Sequence, residues 1–298
     1  MKIIPPILRR AAISFCRDTL APRAVARRAD WPLFQEPVSV HMVLSRRTLL
    51  MGMLALRSLE FHSRMTWNLF IHEDGSLAVE DLKKLQAGFP AARIVGRGEA
   101  DQALTEALSE FPACRENRLK HNWFLKFFDT RHFAPHNHYI VIDSDIVFFR
   151  RPDFILQWIA SRSEDLWFMK DTREKYSMGR RDIEATLEMT VWPKVNSGLD
   201  LMYRPAVDLA LAETFLEKCA PQSREYQFLE QSLFAITGSA WGKGGTLPAE
   251  YEISWNNFRR RDAVCRHYVA TFKDDLLWIE GASSFWLGNS GTIRQIPR

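Results

Sequence analysis

Apolar runs broken by polar turns set the rhythm of this chain. Residues 38–45, VSVHMVLS, are β-branched and apolar and predict a strand. TLLMGMLALRSLEFH (48–62) has helical composition despite Gly52. MTWNLFIHEDGS (65–76) predicts a second strand closing in a Glu-Asp-Gly turn, LAVEDLKKLQAGF a helix ending near Gly88, and ARIVGR a short strand. Over 118–130, Leu119, Trp123, Phe124, Phe127 and Phe128 form one helical stripe. HYIVIDSDIVFF then predicts a strand and DFILQWIA a helix. Further on, LWFMKD and GLDLMYR predict strands, and 205–218 and 222–236 predict helices, with Pro205 suited to the first turn of the former. Strand–helix alternation of this kind implies an α/β fold, with a mostly parallel central sheet flanked by helices.

The 298 residues contain no convincing linker, which predicts one domain over about 36–280, a leader over 1–35 and a tail over 281–298. The leader is distinguished by charge. Residues 1–30 carry seven basic side chains against Asp18 and Asp30, whereas the whole chain has a formal charge of only +4. The remainder is therefore close to neutral, which argues against a basic nucleic-acid-binding surface. Two prolines and five charges interrupt the first twenty residues, so they do not read as a cleavable signal, and no apolar run approaches the ~20 residues of a membrane span. The leader is either a solvated segment or a basic amphipathic one suited to an anionic membrane surface. Cys16, Cys114, Cys219 and Cys265 are widely spaced, which predicts reduced thiols in a cytoplasmic protein, peripheral at the inner face of the membrane if the leader binds there.

The strongest chemical signal is YIVIDSDIVFF. Asp143 and Asp145, with Ser144 between them, interrupt what otherwise reads as a buried strand. Charges beside a sheet core need a partner, and two carboxylates spaced i, i+2 are hard oxygen ligands that a turn can aim at one divalent cation. The plainer alternative is that one Asp caps the next segment and the other faces solvent. DSDIV also fits the Asp-x-Asp of a haloacid-dehalogenase-type phosphatase, in which Asp143 would be the nucleophile. That motif, however, ends the first strand of its fold, and here about a hundred residues of strand–helix pattern precede it.

Six stretches, in order, resemble the GT-A-type nucleotide-sugar glycosyltransferases, and in particular a divergent relative of glycosyltransferase family 8. ALRSL with FIHEDGSL is similar to that family's early helix and second strand, and YIVIDSDIVFFRRPD to its Asp-x-Asp strand. VNSGLDLMYRP, FLEQSLF, LPAEYEISWNNF and CRHYVATFKDD resemble its Asn-Ser-Gly strand, its Asp-Gln-Asp helix, its Leu-Pro…Trp-Asn segment and its His-x-x-Gly-x-x-Lys-Pro ending. Departures are Glu230 in place of Asp, Ala270 in place of Gly, Asp274 in place of Pro, and Val195 in place of an aromatic.

The resemblance implies a GT-A-type single domain that binds Mn²⁺ or Mg²⁺ through Asp143, Asp145 and His267. It further implies a nucleoside-diphosphate sugar donor, expected to be UDP-linked, bound by Lys126, Asp143, Ser144, Gly198, Trp255, Asn256 and Lys273. Gln231, Glu230 and Asn196 would act at the sugar, and retention of configuration would follow from a neutral Gln beside the anomeric carbon. The acceptor, whether glycan, lipid or another class, has no signature in the sequence. The competing readings are the phosphatase and a degenerate fold that binds glycans without turnover.

Overall fold

The computed structural model describes residues 6–27, 30–256 and 259–287. Among these residues ten strands form, in chain order β1 (Val38–Leu44), β2 (Leu69–Glu73), β3 (Arg93–Val95), β4 (His138–Ile142), β5 (Ile146–Phe148), β6 (Leu166–Lys170), β7 (Val195–Tyr203), β8 (Gly244–Thr246), β9 (Tyr251–Ile253) and β10 (Cys265–His267). Seven make a central sheet in the order β3-β2-β1-β4-β7-β6-β8, and β5, β10 and β9 make a small second sheet. The pairs of β1 with β2 and β4, β2 with β3, and β6 with β8 are parallel. β7 runs antiparallel to both β4 and β6. The sheet is thus mixed rather than uniformly parallel.

The principal helices are α1 (Pro6–Phe15), α2 (Ala21–Ala26), α3 (Leu49–Ser63), α4 (Val79–Gly88), α5 (Arg97–Ala107), α6 (Pro112–Lys120), α7 (Leu125–Phe133), α8 (Asp153–Ala160), α9 (Arg180–Leu187), α10 (Leu209–Lys218) and α11 (Leu229–Trp241). Side chains alternate along β4. Ile140 and Ile142 join the core under α3 and α8, while Tyr139 and Val141 join the core under α7 and α11. Both faces of the sheet are therefore covered, as a strand with two apolar faces requires.

Several expected boundaries shift for local reasons. The stripe over 118–130 is two helices, because His121 is extended (φ −134°, ψ 117°) and breaks the turn. Phe124, Phe127 and Phe128 are buried, but Leu119 and Trp123 stay exposed. The helix expected from 205 begins at Leu209 instead, where the Asp208 carboxylate accepts the N–H groups of Ala210 and Leu211. Pro205 lies in a preceding single turn, Arg204–Ala206. The helix expected over 222–236 is α11, which runs on until Gly242 (φ 73°) ends it in the left-handed region.

In the leader, a π-helical turn, Cys16–Leu20, joins α1 to α2. Cys16, Ala21, Ala24 and Val25 are buried in the same core as α3 and residues 276–278. None of the described helices is long and apolar enough to cross a membrane.

Candidate active site

β4 ends at Ile142, and the chain passes from the large sheet to the small one through a tight turn carrying Asp143, Ser144 and Asp145. The turn is pinned from three sides. Asp143 N–H donates to the Gly198 carbonyl (2.7 Å), Ile146 N–H to the Asp143 carbonyl (3.3 Å), and Tyr268 N–H to the Asp145 carbonyl (2.9 Å). β10 pairs antiparallel with β5 in a register that sets His267 opposite Ile146, beside the two carboxylates. Sequence neighbours and a residue 122 positions further along are thereby brought into one cluster.

His267 Nε2 lies 3.1 Å from Asp145 Oδ1 and 3.7 Å from Asp143 Oδ2. Candidate ligand atoms of the three residues all fall within 4.8 Å of one another. His267 Nδ1 is 3.1 Å from Asn196 Oδ1, which also accepts Gly198 N–H at 2.9 Å. Asn196 Nδ2 donates to Gln231 Oε1 (3.1 Å) and Asp171 Oδ2 (3.3 Å), so the amide's orientation is fixed and its oxygen accepts from His267. The Nδ1 proton is thereby directed to Asn196, so that with a cation in place the Nε2 lone pair would be free to ligate it. Without a cation there, burial resists protonation of His267, but Asp145 and then Asp143 outweigh it and raise its pKa. Two carboxylates and one imidazole gathered at one turn suit a divalent ion of the Mn²⁺ or Mg²⁺ kind.

Gly198 is required by this packing. A Cβ there would stand 2.3 Å from His267 Nδ1 and 2.5 Å from Cε1. The glycine lets the β7 backbone pass directly under the ring.

Lys126, on α7, is buried behind the turn. Its Nζ lies 2.8 Å from Asp143 Oδ1, 3.3 Å from Glu230 Oε1 and 3.2 Å from Ser197 Oγ. Burial works against its charge, yet Asp143, Glu230 and Asp200 hold its pKa well above the usual lysine value. Ser197 Oγ in turn donates to Glu230 Oε2 at 3.1 Å. Glu230 itself is pushed up to about 7, chiefly by burial and with Asp143 adding to it, against the pull of Lys126.

Asp200 on β7 is wholly buried, and neither of its oxygens has a hydrogen-bond partner among the described residues. Burial first, and Glu230 and Asp143 after it, raise its pKa far above the carboxylate range despite Lys126. Burial thus favours its neutral carboxylic-acid form, because no hydrogen bond among the described residues compensates an ionised one.

Gln231 points back to the same centre, with Nε2 donating to the Lys175 carbonyl at 2.6 Å. Ser144 is half-buried at the tip of the turn. A cleft of about 660 Å³ opens alongside, lined by Asp171, Thr172, Trp255 and Asn256 among others. Trp255 is 53% exposed, with its Nε1–H donating to Thr172 Oγ1 at 2.9 Å and its ring edge-on to Phe272. The Asn256 carbonyl accepts from Arg266 Nη2 at 2.6 Å.

The structure thus brings together Asp143, Asp145, His267, Lys126, Asn196, Gly198, Glu230 and Gln231. Trp255 and Asn256 line the neighbouring cleft, which touches the cluster through Asp171. The side chain of Lys273 lies outside the described ones. Asp171, Ser197 and Asp200 were not singled out by the sequence. Asp200 carries the same signal as Asp143, a carboxylate inside the apolar run GLDLMY, and Asp171 closes the strand LWFMKD at its carboxyl end.

No family model matches this chain, and no curated protein matches it by sequence. Solved structures match it by shape. The bifunctional glycosyltransferase WbbM in its apo form superposes with a TM-score of 0.54 at 14% identity, over 85% of this chain. This chain spans half the length of WbbM. Mouse xyloside xylosyltransferase 1, apo form, gives 0.53 at 13% identity over 79% of this chain and 98% of its own. The galactosyltransferase LgtC in complex with donor and acceptor sugar analogues gives 0.53 at 13% identity, over 86% of this chain and 98% of its own. The fold is that of the GT-A glycosyltransferases.

Proposed function

We propose that this protein is a metal-dependent glycosyltransferase, moving a sugar from a nucleoside diphosphate, UDP by preference, to an acceptor. A place among divergent relatives of family 8 belongs to the same reading, as does a catalytic unit over 36–280. One observation carries it. At the turn leaving the fourth strand of a GT-A-type sheet, two carboxylates and a correctly tautomerised histidine converge on a single point. An ion held by Asp143, Asp145 and His267 would supply Lewis-acid stabilisation of the charge that develops on the departing diphosphate.

The chain's own residues do the rest. Asp143, Asp145 and His267 would hold the ion, and Asn196 keeps the His267 proton on Nδ1. Lys126, shared between Asp143 and Glu230, offsets one negative charge from behind. Gln231 and Asn196, cross-linked by their amides, form a neutral polar wall for the sugar. A neutral wall offers no strong nucleophile, which favours retention by departure and attack on one face. Trp255 offers an exposed ring on which a sugar can stack. Lys273 and Ser144 are assigned to the diphosphate. We place the protein in the cytoplasm at the inner face of a membrane, on the strength of its basic leader.

The test is binding and slow hydrolysis of nucleotide sugars. UDP should bind by calorimetry only with Mn²⁺ or Mg²⁺, Asp145→Ala should remove that binding without unfolding the chain, and a generic aryl phosphate should remain uncleaved. UDP affinity indifferent to EDTA would overturn the metal role. Aryl-phosphate turnover abolished by Asp143→Asn would establish a phosphatase instead.

A further inference from the structure

Helix α1 has a side that nothing among the described residues covers. Ile7 is 80% exposed, Leu8 59% and Phe15 55%, and Ala11 and Ala12 are exposed with them. At helical spacing these five fall on one side. Ile13 and Cys16 fall on the other and are the residues that reach the core. The apolar side therefore points directly away from the domain, the reverse of what packing a surface helix would produce.

The flanks are basic. Arg9 is ion-paired to Asp275, which ties α1 to the segment that follows His267. Arg10 is exposed and has no carboxylate partner among the described residues, and neither has Arg23 on α2. Residues 6–27 carry five arginines against Asp18 alone.

We propose that this face of α1 docks on an anionic lipid surface, with Ile7, Leu8 and Phe15 entering the headgroup boundary and Arg10 and Arg23 facing the lipid phosphates. Apolar side chains rimmed by arginine fit such a surface. A second copy of the chain fits less well, because a two-fold contact through α1 would set one arginine cluster against its twin. Nucleic acid fits less well again, having nothing to receive the apolar residues. The inference goes beyond sugar transfer and does not depend on it. It names the residues that would give the leader its affinity for a membrane.

The test uses the full chain in flotation with vesicles of phosphatidylcholine alone and of phosphatidylcholine mixed with phosphatidylglycerol. Wild type should float with the mixed vesicles, and raising salt from about 0.1 to about 0.5 M should release it. The pair Ile7→Asp and Phe15→Asp should weaken the partition at least about tenfold. Arg10→Glu should weaken it about fivefold or more. Calorimetric UDP binding with Mn²⁺ is measured on the same samples, and an absence of UDP binding beside intact flotation would count against the donor reading only. Three results would overturn the proposal: no flotation with the anionic vesicles, equal flotation of the variants, or a wild-type dimer by light scattering that Phe15→Asp dissociates.

Discussion

Replacing Gly198 by alanine tests the central geometry with one methyl group. The new Cβ would lie 2.3 Å from His267 Nδ1, about 1 Å inside the 3.4 Å at which ordinary contact begins. The ring has nowhere to retreat. It is buried to 6% exposure, its Nδ1 is bonded to Asn196, and its Nε2 faces Asp145 at 3.1 Å. Overpacking of this kind costs about 1–3 kcal/mol of stability. The larger effect should fall on the metal. A ligand displaced by about 1 Å leaves its coordination shell, and even the loss of a residue supporting a ligand weakens binding about 10–100-fold. The variant should therefore remain folded, with its melting temperature lowered by a few degrees. Its Mn²⁺-dependent UDP affinity, by calorimetry, should fall at least about 10–100-fold. Wild-type affinity in a folded Gly198→Ala protein would show that His267 is not a ligand.

Two other perturbations follow from buried charge. Lys126→Met removes the cation facing Asp143, Glu230 and Asp200 and should cost about 3–5 kcal/mol in denaturant unfolding; stability equal to wild type would show those carboxyls already neutral. His41 and His72, bonded to each other at 2.9 Å within the sheet, are both depressed by burial, His72 to about 3. Their contribution is complete above the unfolded pKa near 6.5 and is lost as pH falls below it, at about 1.4 kcal/mol per pH unit for each ring. Glu60 and Glu230, pushed up to about 7, act in the opposite sense, so the readout is the wild-type stability minus that of His72→Gln. That difference should shrink between pH 7 and pH 5; a constant difference would refute the assignment.

Much of the site was legible because its residues violate their surroundings. Asp143 and Asp145 interrupt an apolar strand, whereas His267, in CRHYV, was legible only through the family resemblance. Asp200 violates GLDLMY in the same way, but it lies in the middle of a strand with no turn to advertise it. Asn196 was legible as a contact and not as a support. Its hold on His267 exists only because β10, the middle strand of the small sheet, brings His267 against β7, a tertiary fact with no local trace. The strands β1, β2, β4, β6 and β7 were legible because their buried residues fall on both faces and give apolar runs, whereas the three-residue β8, β9 and β10 leave no such run. Helix starts were read less well. Asp208 as a cap competes with Pro205 three residues earlier, and only packing decides between them. In the leader, the core-facing spacing of Ala21, Ala24 and Val25 was present in APRAVA but was masked by its arginines.

Lys126 also has a consequence for which ion the turn accepts. With Asp200 neutral, Asp143, Asp145 and Glu230 offer three negative charges at most, and Lys126 cancels one. A divalent ion brings the remainder to zero. A monovalent ion leaves a deficit, and a trivalent one leaves an excess. Electroneutrality thus selects valence before coordination geometry selects the element. Glu230, which burial pushes up to about 7, is the member of that sum whose charge changes most readily near neutrality.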